Sequence, residues 1–356
     1  MLDTGDQASC ERAIGPSARL IRAGILDLTV IVVTHNGRAK ALATVRSALD
    51  ATGSADVEWI VVDSGSSDGT PEAIEQSFPM VRVIRGENRG FAASNNVGLE
   101  LARGRYVLLL NPDVEIAEGD LTTLVAAMDA RPEVGVASVI HRAPDGSLQH
   151  SIRRFPSFAR DVGEALFAAR WPICTTIQEL ETRARRYEVE HSVDWMVGAF
   201  LIARREAVEA VGAMDERFFL YSEEIDWCYR FRQLGWDVRH LPVMTIVHHA
   251  GRLDRGDLMA QLAYSRRLFA EKHFGPLKRR LIRAALAFGH LVRLAVIGVP
   301  AVVRPTHRPR VRAERRALAV QLGLSRPPNF HKYQSTRSEP SSVDGTAKDR
   351  PPARVV

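Results

Sequence analysis

A chain of 356 residues that is 46% hydrophobic and 25% charged is long and apolar enough to bury one large core or two smaller ones, which excludes a disordered or collagen-like protein. Its three cysteines, Cys10, Cys174 and Cys228, form no CxxC pair and no even set, which argues against a disulfide framework or zinc knuckle and for a reducing, cytoplasmic setting. The net charge of +6 suits nucleotide, nucleic acid and anionic membrane alike, so its position along the chain must discriminate.

Residues 1–27 mix Asp, Arg, Gly and Pro, lack the apolar run of a secretory signal, and read as a flexible lead-in. From Leu28 onward, short β-branched runs alternate with helical stretches: Thr29–Val33, Trp59–Val62, Val81–Ile84, Tyr106–Leu110 and Val134–Val139. That alternation predicts an α/β fold with a mostly parallel central sheet covered by helices on both faces. Such sheets bind ligands where loops leave the carboxyl ends of the strands. The loops in question carry Thr34-His35-Asn36, Asp63 to Gly69 with Ser66 among them, Asn88-Arg89-Gly90, and Asn111-Pro112-Asp113, and Asn95 follows shortly after the third. Four small-polar or acidic loops at one edge make a nucleotide pocket. Neither GxGxxG nor GxxxxGK[ST] occurs, which removes most support for a dehydrogenase or a P-loop enzyme. Within this pocket Asp63, at a strand end, is placed to accept hydrogen bonds from a base or ribose, with an Asx turn as its structural alternative.

Residues 142–193 are irregular, with one helix expected near Phe158–Ala169. Order returns at Asp194, and Ser222-Glu223-Glu224-Ile225-Asp226 opens a helix with Ser222 as its expected N-cap and Gly235 just past its end. Three acids within four residues also suit a helix N-terminus for purely electrostatic reasons. After Pro276, Arg279, Arg283, His290 and Arg293 fall within about 80° of one another on a long helix otherwise rich in Leu, Ile, Val, Ala and Phe. Arg293 near the centre would cost roughly 2.5–3.5 kcal/mol in a spanning helix. The expectation is therefore either that the helix lies flat at an anionic membrane surface or that it packs as an amphipathic helix on the catalytic domain. From Ser335 the composition is that of a disordered tail.

The strand-end motifs resemble, in order from Thr29 to about His249, the family-2 glycosyltransferases with a GT-A fold, and among them the rhamnosyltransferase-like branch that builds bacterial cell-wall and surface polysaccharides. The matching stretches are Val32 to Asn36, Val61 to Thr70, Asn88 to Ala92 with Asn95 to Gly98, Leu109 to Asp113, and Phe218 to Asp226. Ser64, His35 and Glu224 depart from the residues most common at their positions. The resemblance implies a divalent cation, Mg or Mn, held by Asp113 and His248. It implies Glu224 as the base that deprotonates the acceptor, with Asp226 or Glu223 as replacements, and Trp195 and Gly198 on the acceptor side. Thr34, Asn36, Asp63, Ser66, Asn88, Arg89, Gly90, Asn95 and Asn111 would then hold a nucleotide-diphosphate sugar, with Arg89 facing the diphosphate.

The expected organisation is a nucleotide-sugar half at 28–140, an acceptor half at 141–254, a basic helical region at 255–333 and a tail at 334–356. The implied reaction is an inverting transfer, with dTDP-rhamnose as leading donor and a polyprenyl-diphosphate-linked saccharide as leading acceptor, at the inner face of the plasma membrane. No nucleic acid is expected, and a homo-oligomer is left open. The rivals are a sugar-nucleotide nucleotidyltransferase, for which Thr34-His35-Asn36-Gly37-Arg38 offers only a faint phosphate loop, and a non-catalytic subunit of a polysaccharide assembly complex.

Overall fold

The computed structural model describes residues 26–166, 177–249, 256–303 and 305–325. The expected tail, nearly all of the lead-in, and Cys10 and Cys174 lie outside these residues.

The sheet is built outward from β1 (Leu28–Thr34), every residue of which is buried. On one side it pairs in parallel with β2 (Val57–Ser64), and β2 pairs with β3 (Arg82–Gly86); on the other it pairs in parallel with β4 (Tyr106–Leu110). Because side chains alternate across a strand, Val30 and Val32 enter one core layer and Ile31 and Val33 the other. The first layer is closed by α1 (Arg38–Asp50), α2 (Thr70–Ser77) and α4 (Leu121–Asp129), and the second by α3 (Phe91–Leu101), α6 (Arg205–Val211) and α7 (Glu223–Gln233). Asp120 caps α4, its Oδ1 accepting from the Thr123 N–H at 2.7 Å.

Beyond β4 the sheet is mixed. β10 (Phe200–Arg204) runs antiparallel to both β4 and β6 (Val134–Arg142), β6 pairs in parallel with β11 (Asp237–His248), and β5 (Val114–Glu118) closes the edge antiparallel to β11. β5 is only five residues long and follows β4 almost at once, so it escapes a reading based on separated apolar runs. Two-residue strands β7 (Ile152–Arg153) and β9 (Trp195–Met196) form a separate ribbon, and β8 (His191–Ser192) adds to β11. Helix α5 spans Phe158–Ala165, shorter than the expected Phe158–Ala169, whose last residues fall outside the described set. Gly235 sits past the end of α7 at φ 85°, a conformation that favours glycine, as expected.

Three helices follow: α8 (Gly256–His273), α9 (Pro276–Val303) and α10 (Arg308–Leu322). Helix α9 packs against α5 and α10. The polar stripe of α9 points inward, against α10, the reverse of an amphipathic helix that packs its apolar side on the domain. His290 Nδ1 lies 2.7 Å from Glu314 Oε2, and Arg293 Nε donates to Glu314 Oε1 at 3.0 Å. The physical reason is that Glu314, on α10, offers a partly buried carboxylate that satisfies both groups at once.

Candidate active site

Side chains tie the loops after β1 and β2 together. The Asn36 N–H donates to Ser66 Oγ at 2.9 Å, and the Ser67 N–H donates to Asn36 Oδ1 at 2.9 Å. Asp68 Oδ2 accepts from the N–H groups of Gly37 at 2.8 Å and Arg38 at 3.2 Å. Those N–H groups open α1, so a carboxylate of the second loop caps the helix of the first. Asp63 closes an Asx turn through Oδ2, which accepts from the Ser66 N–H at 2.9 Å, while its Oδ1 is buried with no protein partner among the described residues.

A cleft of about 350 Å³ opens over these loops, with Thr34, Asn36, Ser64, Asn88, Gly90 and Asn111 in its wall. A second cleft of about 1090 Å³ adjoins it and holds Trp195, Gly198, Glu223, Glu224 and His248. Asn111 and Asp113 line both, so Asp113 stands at the junction. Asp63 and Ser66 are in the wall of neither cleft. Asn95 and Arg89 are turned elsewhere. The Asn95 amide donates to the Phe91 carbonyl at 2.9 Å within α3, and Arg89 reaches out to Glu216 at 2.7 Å instead of facing the cleft, which corrects its expected position.

The antiparallel pairing of β5 with β11 sets His248 opposite Val114, and this brings His248 Nε2 to 3.5 Å from Asp113 Oδ1. Gln149 grips the histidine twice. Its Nε2 donates to the His248 carbonyl at 2.7 Å, which leaves its Oε1 to accept from His248 Nδ1 at 3.1 Å. A hydrogen on Nδ1 leaves the Nε2 lone pair directed toward Asp113, the arrangement that a metal-ligating imidazole requires. Among the described residues no cluster of three or more His, Cys, Asp or Glu has a metal-binding arrangement. Asp113 and His248 therefore offer two protein donors, leaving other positions of a hard cation to diphosphate oxygens and water. Lys40, on α1, adds a positive charge 3.8 Å from Asp113.

The segment before α7 is strained. Tyr221 and Ser222 both have φ 68°, and each non-glycine residue in this region costs of order 1–3 kcal/mol. Ser222 holds the N-cap position, as expected, but its side chain makes no capping hydrogen bond and its Oγ is buried with no partner among the described residues. What holds the strain comes from two sides. The Phe219 carbonyl accepts from the Phe91 N–H at 2.8 Å, and a Cβ at Gly90, where φ is 101°, would lie 2.4 Å from that carbonyl oxygen. The Leu220 carbonyl accepts from Ser265 Oγ at 2.9 Å and Gln261 Nε2 at 3.3 Å, both on α8.

The result separates the three acids. Glu223 and Glu224 enter the larger cleft, where burial raises both carboxyls, and the Glu224 charge pushes Glu223 well above the usual carboxylate range. Arg266 and Arg153, both in the cleft wall, pull Glu224 back down. Of the two, Glu223 is pushed the further above the carboxylate range. Asp226 faces away from both clefts, which corrects its expected place beside the base. Its Oδ1 is 2.7 Å from Lys272 and from His273, and its Oδ2 is 2.9 Å from Arg230. Burial opposes ionisation there, but these partners outweigh it and hold the carboxyl below its ordinary value.

Trp195 is buried, its Nε1 donating to the Arg154 carbonyl at 2.9 Å, and it also lines the larger cleft. Gly198 leaves room for Glu224, whose Cβ would be 3.4 Å from a Cβ placed there. Sequence reasoning missed Lys40, Gln149, Arg153, Gln261, Ser265 and Arg266. Only Lys40 carried a signal, one turn into the helix after the first loop.

A smaller cleft at the carboxyl ends of parallel strands, joined through one carboxylate to a larger cleft holding paired glutamates, defines a group-transfer enzyme on a GT-A sheet. Mannosyltransferase PcManGT from Pyrobaculum calidifontis, solved in complex with GDP-Man and Mn²⁺, shares this fold with a TM-score of 0.52 and 18% identity over 84% of this chain and 86% of that one. The chain belongs to glycosyl transferase family 2, whose model matches residues 29–212, and it is a glycosyltransferase. It is 32% identical over 261 residues, 66% of this chain and 83% of the relative, to the N-acetylglucosaminyl-diphospho-decaprenol L-rhamnosyltransferase of Mycobacterium tuberculosis. To the rhamnosyltransferase WbbL of Escherichia coli it is 24% identical over 183 residues, 49% of this chain and 66% of that one.

Removing one partner of a buried ion pair leaves charges uncompensated at a cost of about 3–5 kcal/mol. Asp226→Ala is therefore expected to lower the urea midpoint markedly while the protein that remains folded retains transfer; a variant of normal stability with no turnover would return Asp226 to the chemistry.

Proposed function

We propose that the chain is an inverting rhamnosyltransferase that moves rhamnose from dTDP-rhamnose to a hydroxyl of a polyprenyl-diphosphate-linked saccharide, at the cytoplasmic face of the membrane, in cell-wall or surface polysaccharide synthesis. The observation that carries the reaction is the shared position of Asp113 in both clefts with Glu224 in the larger one. The rhamnosyl donor and lipid-linked acceptor are supported by the names of the relatives, one a decaprenol-diphosphate-dependent rhamnosyltransferase.

In this reading residues 28–140 supply the donor side and 141–254 the acceptor side. Thr34 and Asn36 border base and ribose, with Ser66 holding Asn36 in place, and the Asp63 Oδ1, which has no protein partner among the described residues, is the acceptor left for the nucleotide. Asn88, Gly90 and Asn111 border the sugar diphosphate, while Trp195 and Gly198 border the acceptor. A divalent cation, Mg or Mn, held by Asp113 and His248 would neutralise charge on the departing diphosphate. Lys40 adds to that neutralisation.

An alcohol is a poor nucleophile at neutral pH, so its proton must leave as the new bond forms. Glu224 takes that proton. The acceptor oxygen bonds to the anomeric carbon as the bond from that carbon to the diphosphate oxygen breaks, and a single displacement inverts the centre. Glu223 lies in the same cleft, its carboxyl raised well above the usual range by burial and by the Glu224 charge.

Glu224→Gln is expected to lower transfer by at least about 10²-fold while calorimetry still detects donor binding; near-normal turnover would move the base to Glu223. Asp113→Ala is expected to abolish the extra thermal stabilisation that Mn²⁺ gives in the presence of dTDP-rhamnose, a shift that otherwise grows with the logarithm of donor concentration. Because burial raises the Glu224 carboxyl above its ordinary 4.5, and the base acts only when ionised, transfer should rise with pH through an acid limb lying above 4.5. A limb below that value would contradict the assignment.

A further inference from the structure

The two faces of α9 carry the opposite of what a soluble surface helix carries. At 100° per residue, Leu277, Leu281, Ala284, Phe288, Leu291 and Ala295 fall within about 80° of one another, on the side opposite Arg279, Arg283, His290 and Arg293. All six are exposed, the four large ones between 42% and 72%. The polar side instead closes on Glu314 of α10 through His290 and Arg293. The outward stripe runs about 27 Å along the helix at 1.5 Å per residue. A continuous apolar strip of that length is more than scattered exposed residues produce.

Lys278 and Arg280, exposed at its start, stand about 100° and 60° to either side of the strip's centre, and Arg308, Arg310, Arg312 and Arg315 are exposed on α10, which packs against α9. Apolar side chains reaching into an acyl boundary, with basic groups beside them at headgroup level, fit a bilayer surface bearing anionic lipid. We infer that the outward apolar stripe of α9, flanked by these basic residues, is a lipid-docking surface that holds the enzyme in the plane of an anionic membrane. The inference rests on the reading of a lipid-linked acceptor only for its purpose; the surface itself is defined by exposure, spacing and charge.

The surface also has a relation to the active site. Helix α8, whose Gln261 and Ser265 hold the Leu220 carbonyl and whose Arg266 lines the larger cleft, joins α9 through a short turn at Phe274–Gly275. Docking through α9 therefore fixes the element that supports the acceptor cleft.

The test is sedimentation of the full chain with vesicles of phosphatidylcholine alone or with about one third phosphatidylglycerol. Binding is expected to the anionic vesicles only, to weaken in high salt, and to be stripped by alkaline carbonate. The double variant Phe288→Glu/Leu291→Glu should lose at least about ten-fold in vesicle affinity. Met80→Glu, at an exposed apolar residue far along the chain near β3, should lose nothing, and Lys278→Gln/Arg280→Gln should lose the dependence on anionic lipid. Transfer to a short-chain, water-soluble acceptor should be unchanged in Phe288→Glu/Leu291→Glu, so failure of lipid docking and failure of the transferase reading give different results. Unaltered vesicle binding by that variant overturns the proposal. So does a wild-type dimer that the variant converts to monomer, which makes the strip a contact between copies, and so does resistance to carbonate, which makes α9 a spanning helix.

Discussion

The site depends on the forced bend at Phe219–Ser222. Two successive residues in the left-handed region are unfavourable on their own, and neither is glycine. They persist because the bend is gripped from the donor side by Gly90 and the Phe91 N–H and from the C-terminal side by Gln261 and Ser265. The grip joins three parts of the chain that are distant in sequence, and it decides which side chains at the start of α7 enter the cleft. Gly90 lines the smaller cleft and also makes this contact, so the geometry of the two clefts is tied together by one piece of backbone.

Three acids packed into the first turn of a helix are alike in sequence and unlike in place. All gain from the helix dipole. Asp226, on the far side of the turn, meets Arg230, Lys272 and His273 and is held ionised as part of the scaffold. Glu223 and Glu224 meet each other in a buried cleft, where two adjacent negative charges are unfavourable and one proton resolves the conflict. The arginines on the cleft wall lower the Glu224 carboxyl against the effect of burial. Arg266 itself is paired with Glu179 through two short hydrogen bonds, so its position is fixed independently of Glu224.

Local sequence made much of the donor side legible, because strand-end loops after apolar runs are local features. β1, β2 and β4 and the loop residues Thr34, Asn36, Asn88 and Asn111 fall where alternation and turn chemistry place them. Other features depend on partners that no local pattern names. The antiparallel insertion of β10 between β4 and β6 is invisible to a reading that sees only runs. Arg89 follows a motif into the right loop, yet its side chain finds Glu216 instead. Gln149 earned no attention because an isolated Gln in an irregular stretch has no signature, although it orients His248. Asp226 and Glu224 were separable only once Lys272 and His273 of α8 were known to fold back onto one of them.

The same logic governs α9, whose periodicity is legible in the sequence and whose inward side is not. A helical wheel shows that one side is basic and the other apolar, and it is silent on which side meets the protein. The usual assumption buries the apolar side. A partner helix with one well-placed carboxylate reverses that preference locally, because Glu314 satisfies Arg293 and His290 together, and a charge without such a partner is the costlier group to bury. Burial in turn opposes the ionisation of Glu314, but its bonds to His290 and Arg293 outweigh that and keep the carboxyl below its ordinary value. The cost of the arrangement is then transferred outward, to Leu277, Leu281, Phe288 and Leu291 standing in water. An exposed apolar strip is tolerable in a protein whose working surroundings are not wholly aqueous, so the inward salt link and the outward strip are two consequences of one choice of helix rotation.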